Sequence, residues 1–273
     1  TYAFFCDNAR QKDGGFDLAA APVPMTERPD LDRWILSDLQ KLIQVARTAF
    51  DNYDVTTFCL EAERFVDAKL SNWYVRRSKR RFWKGEQGAD KLAAYQTLHA
   101  VLATLTKLFA PIMPFLSETV YQNLKTAGEP ESVHLCSFPT ADAALIDERL
   151  STDMDALLQL VSLGLAARNA GKRKVRQPLA EMVVDGGDTV RHAVERFPDL
   201  LRDELNVRKI AVHDKTRGSL LQTVVKPNLK TLGQKHGGRL PEVKAAIEAA
   251  VRPNGQGRVE IPSEVQTLSL IHI

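Results

Sequence analysis

From Leu31 onward apolar side chains return every three or four residues: Leu31, Trp34, Ile35, Leu39, Leu42, Ala46, Ala49 and Phe50. That spacing puts them on one stripe of a helix, and a striped helix must bury its stripe against another element. Asp30, after Pro29, is read as the N-cap of this helix, and Asn52 to Asp54 as its break. Asp54 caps a second helix with Phe58, Ala62, Phe65, Val66 and Leu70, which runs on to Lys84 and stops at Gly85. Asp90 caps a third with Leu92, Tyr95, Leu98, Leu102, Leu105 and Leu108. Pro111 and Pro114 punctuate its end, and residues 115–124 form a fourth. An irregular crossing segment, 127–147, leads to a long helix from about Asp147 to Ala170 that buries Leu150, Met154, Leu157, Leu158, Val161, Leu165 and Ala166. Antiparallel helices with short connections make a bundle.

After Pro178 the pattern changes. Short strands at 181–185, 207–213, 220–225 and 258–261 interleave with helices at 190–205 and 240–251, the second opening on Pro241. The fold expected is therefore mainly α: a helix bundle over 26–180, then a small α+β C-terminal domain over 181–265. Residues 1–25 read as an incoming helix end and a Pro-rich connector, and 266–273 as either an edge strand or a non-native tail.

Composition narrows the function more by exclusion than by suggestion. The 273 residues are 44% hydrophobic and 26% charged, as in an ordinary globular protein. The three cysteines, Cys6, Cys59 and Cys136, have no paired or metal-ligand spacing, which reads as a reduced, cytoplasmic chain without a disulfide framework. No apolar run approaches the ~18–20 residues that span a bilayer, and no signal pattern opens the chain. A monomer without membrane contact is expected. Residue 1 is Thr, so the chain reads as a piece of a longer polypeptide or a processed one. Phosphate-loop, nucleophile-elbow and zinc-protease motifs are absent, and the six histidines are dispersed. Neither a catalytic residue nor a metal site is assigned.

Two basic stretches carry the functional reading. In residues 71–84 six of fourteen side chains are Lys or Arg and two are Trp, and no acid falls between Asp67 and Glu86. On an ideal helix Trp73, Arg77, Arg80 and Lys84 fall within about 60° of one another, with Arg76 and Arg81 flanking them. Arginine forks match phosphate, and aromatic or guanidinium planes stack on bases. The bland alternative is a solvated charged face with Trp73 turned into the core. The second stretch holds Arg168, Lys172, Arg173, Lys174 and Arg176, with no acid between Asp155 and Glu181. Helix-dipole complementation accounts for two such charges, not five. The overall net charge of +3 is mild, so these clusters alone support a polyanionic partner. A rival class is a non-catalytic helical interaction module whose basic faces meet acidic protein.

The residues also carry a resemblance. Leu31-Asp32-Arg33-Trp34-Ile35-Leu36, then Leu70-Ser71-Asn72-Trp73-Tyr74-Val75-Arg76-Arg77 with Arg81-Phe82-Trp83, resemble the anticodon-binding helical domain of isoleucyl-tRNA synthetases. Ala110-Pro111-Ile112-Met113-Pro114-Phe115-Leu116 looks like its Pro-punctuated turn, and Ser132-Val133-His134-Leu135 with Phe138-Pro139 like its crossing segment. Lys174-Val175-Arg176-Gln177-Pro178-Leu179, Glu204-Leu205-Asn206-Val207 and Val225-Lys226-Pro227-Asn228 continue the likeness in order, and it fades beyond about residue 262. The Trp-Tyr-Val-Arg-Arg and Lys-Val-Arg-Gln-Pro-Leu pieces favour the isoleucine enzyme over its valine and leucine relatives, which stay as alternatives. The likeness implies the anticodon-binding bundle of class I aminoacyl-tRNA synthetases. The parent enzyme would use ATP and magnesium to attach isoleucine to tRNA(Ile). The nucleotide-binding signatures and the editing insertion are missing from this chain, so by itself it is expected to be inactive, to need no cofactor, and to work with a catalytic part of the same polypeptide. The residues so implicated at the tRNA are Trp73, Arg76, Arg77, Arg80, Arg81, Lys84, Lys172, Arg173, Lys174 and Arg176.

Overall fold

A computed structural model of the chain describes residues 21–84 and 88–213, with Gly238, Pro241 and Glu242. The expected stop at Gly85, the strands at 220–225 and 258–261, most of the helix at 240–251, the tail and most of the connector lie outside the described residues. The chain divides into two compact units, one ending at Ala156 and the other starting at Leu157. That division falls inside the long helix.

The first unit is helical. α1 (Asp30–Asp51) is followed by α2 (Val55–Arg64), a π-helical segment (Phe65–Val75), α3 (Arg76–Lys84), α4 (Ala89–Phe109), α5 (Pro114–Leu124) and the start of α6 (Glu148–Ala170). The stripe of α1 is buried as its periodicity predicts: Trp34, Ile35, Leu39, Leu42 and Ala46 are at most 4% exposed. α1 packs on α2, the π-helical segment and α4, while α3 and α5 also pack on α4. Tilted and edge-on rings of Phe50, Phe58, Phe109 and Phe138 close one region of this core, with centroids 5.2–5.5 Å apart.

Three of the helix starts refine the expected caps. Asp54 does cap α2: its carboxylate accepts from the Thr57 N–H at 3.0 Å and from the Thr57 hydroxyl at 2.6 Å. Asp30 and Asp90 do not sit at N-cap positions. Pro29 and Gly88 hold those, and the two acids lie in the first turns, where a carboxylate still complements the helix dipole. The helix expected to run unbroken from 54 to 84 is α-helical only at its two ends. Over 65–75 it widens to the i→i+5 pattern, and residues five apart come to face each other: the Asn72 side-chain amide donates to the Asp67 carboxylate at 2.9 Å.

The second unit contains the rest of α6, then β1 (Leu179–Val184), α7 (Asp188–Arg196), α8 (Pro198–Leu205) and β2 (Val207–Val212). β1 and β2 pair in parallel, Leu179 opposite Val207 and Val184 opposite Val212. A parallel pair needs a crossover, and α7 and α8 supply it. The single helix expected over 190–205 is two helices. Pro198 lacks an N–H and forces Phe197 out of helical geometry, to φ −123° and ψ 44°. Asn206 ends α8 in the left-handed region at φ 48°, a conformation that asparagine tolerates. Among the described residues no helix is long and apolar enough to cross a membrane.

Candidate nucleic-acid interface

The orientation of α3 follows from the residues it buries. Tyr74, Ser78 and Phe82 are four apart and at most 2% exposed, so they define the inner face. The Phe82 ring meets Tyr95 of α4 edge-on at 5.1 Å. Arg76, Lys79 and Arg80 then face solvent, with Arg77 half-buried. The outer face is thus centred on Arg76 and Arg80, not on the expected line from Trp73 through Arg77 to Lys84. Lys84 ends the helix, and its side chain lies outside the described residues.

Two of the residues expected at the RNA, Trp73 and Arg81, are turned inward. Trp73 is 4% exposed, so its indole is not presented to a base. The wider π-helical turn brings it inside with Tyr74, Phe65 and Leu70. It still shapes the outer face, because the Arg76 guanidinium lies 5.6 Å from the centre of its ring. The Arg76 Nε also donates to the Asn72 carbonyl at 2.8 Å. Arg81 is turned inward. Its two terminal nitrogens donate to the Asp32 carboxylate at 2.6 and 2.8 Å, and its Nε donates to Asp90 at 3.0 Å.

Asp32 is fully buried and also accepts from the Tyr74 hydroxyl at 2.9 Å. Burial works against the Arg81 cation, but the hydrogen bonds and charge of Asp32 outweigh it, so its pKa is raised. Burial first, and the adjacent Asp32 second, push the Tyr74 phenol well above its ordinary value. The result is a fixed clamp between α1, α3 and α4: a buried carboxylate held by a two-pronged arginine and a neutral tyrosine. A second clamp fixes the π-helical segment. Lys69 donates to the buried Asp38 of α1 at 2.6 Å and lies 3.2 Å from Asp155 of α6. Burial would lower the Lys69 pKa, but the two carboxylates raise it.

Asp32, Tyr74 and Asp90 had escaped the sequence reading as parts of this site. One signal was available: Asp32 shares the helical face of Ile35, Leu36 and Leu39, and an acid in an apolar stripe calls for a cation.

The second basic cluster lies in the second unit. Lys172, Arg173, Lys174 and Arg176 are all exposed. Arg168 is not; it is 4% exposed and points its guanidinium at the backbone of the loop that follows. Lys172 adopts φ 52° and closes α6 with bonds from its own N–H to the Asn169 carbonyl and from Arg173 N–H to the Arg168 carbonyl. Among the described residues no group of His, Cys, Asp and Glu is arranged to hold a metal ion.

An arginine-rich outer face on a helix fixed from behind, and an exposed four-cation loop, are each suited to phosphates. Comparison with known proteins points the same way. The family described as the anticodon-binding domain of tRNA ligase matches residues 32–184. Isoleucine–tRNA ligase of Dehalococcoides mccartyi is 48% identical over 192 residues, 69% of this chain and 19% of that protein. The enzyme of Thermobifida fusca is 41% identical over 260 residues, 92% of this chain and 24% of that protein. That of Thermus thermophilus is 40% identical over 255 residues, 90% of this chain and 24% of its own length. The chain spans a quarter or less of the length of these relatives.

Proposed function

The chain belongs to the family of anticodon-binding domains of tRNA ligases, and from that premise we propose that it grips the anticodon side of tRNA(Ile) as part of an isoleucine–tRNA ligase. The observation that carries this reading is the outer face of α3. Arg76, Lys79 and Arg80 are exposed while Arg81, their neighbour, is pinned to Asp32. Cations on a rigid helix lose little freedom when they meet a phosphate backbone, so more of the electrostatic attraction remains as affinity. The Arg76 guanidinium, backed by Trp73, offers a plane to phosphate or base. Lys172, Arg173, Lys174 and Arg176 add a second contact.

The chemistry of such an enzyme takes place elsewhere on the polypeptide, with ATP as the substrate that activates isoleucine and magnesium accompanying its phosphates. Binding at the anticodon side aids that chemistry only by placing the distant acceptor end of the tRNA. The setting is cytoplasmic, and the unit is a monomer. Titrating tRNA(Ile) onto the chain at several salt concentrations tests the proposal. Neutralising ~4–6 phosphates gives a log–log slope of about −3 to −5. A flat response, or binding to an acidic polypeptide in place of tRNA, overturns it. Equal affinity for tRNA(Val) and tRNA(Leu) overturns the isoleucine assignment alone.

A further inference from the structure

We infer that Arg168 is a positioning residue that, together with Asn206, folds loop 172–177 so that its cations are presented as one set to RNA phosphates. The inference rests on the tRNA-binding reading of that loop. The Arg168 Nη2 donates to the carbonyls of Lys174 at 3.0 Å and Val175 at 3.1 Å, and also to that of Gln177. From the other side, the Asn206 amide donates to the same Val175 carbonyl at 2.9 Å, and the Asn206 carbonyl accepts from the Leu179 N–H at 3.0 Å. A turn bond from Gln177 N–H to the Lys174 carbonyl, 3.0 Å, tightens the loop. Its backbone oxygens are thereby drawn toward a buried cation, and the four charged side chains at 172, 173, 174 and 176 are left on the exposed side.

Stability alone does not account for this arrangement. Burying a guanidinium is costly unless it is paired and fully hydrogen-bonded. The Nε and Nη1 of Arg168 are buried without a hydrogen-bond partner among the described residues. Arg168 also adds a fifth positive charge beside four that already repel one another. An apolar side chain at 168 would leave the loop carbonyls without this donor and the cations free to spread apart. Arg168 therefore trades stability for an ordered array, and it does so without meeting the phosphates itself.

The test is tRNA(Ile) binding by the whole chain across a salt series, with thermal melts as the check on folding. The quadruple variant K172A/R173A/K174A/R176A is expected to bind more weakly, with the salt slope reduced in magnitude by about 2. Arg168→Gln is expected to weaken binding about tenfold and to flatten the slope by about 1–2, although a buried residue contacts no phosphate. In the quadruple background Arg168→Gln should change neither quantity, since coupled residues are non-additive. Asn206→Gly keeps the left-handed backbone, removes the amide, and should give a smaller loss of the same kind; it carries the test if Arg168→Gln does not fold. Loss of affinity on Arg168→Gln that is equal in both backgrounds overturns the inference, as does unchanged affinity with the quadruple variant impaired. A quadruple variant that binds tRNA as the parent chain does overturns the RNA reading of the loop as well.

Discussion

At the scale of single residues, Arg80 and Arg81 show how position decides role. Arg81 reaches the buried Asp32 carboxylate with both prongs of its fork, whereas Arg80 is exposed. Removing Arg81 leaves a buried charge uncompensated, so Arg81→Ala should cost about 3–5 kcal/mol in stability, read from urea unfolding. Arg80→Ala should leave the unfolding midpoint unchanged and take about one unit off the salt slope of tRNA binding. A large loss of stability in the Arg80 variant with affinity intact would reverse the two assignments. Lys69 gives a pH-dependent counterpart. Its folded pKa lies above the ordinary 10.5, so its contribution to stability is complete below that pH and is lost as pH rises through the folded value. Tyr74, also raised, has the same sign. Thermal melts of the parent chain should therefore fall on the alkaline side of pH 10.5, and Lys69→Met should make that fall shallower. An identical alkaline limb in the variant would remove Lys69 as a cause.

At the scale of elements, α3 was legible as an amphipathic basic helix, and its outer face was misplaced by the change in helical pitch before it. A helical wheel drawn through residue 73 assumes 3.6 residues per turn. The π-helical segment over 65–75 breaks that assumption, and Trp73 moves inside while Arg76 moves out. In the second unit the close approach of α6 and α8 depends on a missing side chain. A methyl group at Gly164 would stand 2.6 and 2.8 Å from the two terminal methyl carbons of Leu205, which is 1% exposed. Gly164→Ala should thus destabilise this unit by about 1–2 kcal/mol, the overpacking cost exceeding the gain in helix propensity. A stabilised variant in calorimetry would mean that Leu205 has room to rotate away.

At the scale of the whole chain, the net charge of +3 conceals two local concentrations of positive charge. Each lies in a different compact unit. Their contributions to tRNA binding should therefore be separable by salt slope, one set of substitutions at a time. The chain spans 19–24% of the three relatives compared above. By itself it should support no isoleucine-dependent exchange of pyrophosphate into ATP. Exchange above background in a purified sample would overturn the division of labour proposed here.

The sequence alone determined the helical first part, the short strand that follows Pro178, the two basic clusters and the resemblance that links them to tRNA. Apolar periodicity, proline positions and runs without acids are local properties, read along one strand of text. Tertiary structure decided which cations are exposed. Burial of Arg81 depends on Asp32, 49 residues away, and burial of Arg168 depends on how the chain turns back after α6. Such partners are brought together only by packing, since an arginine is drawn into the interior wherever the fold leaves a carboxylate or a set of carbonyls without another donor.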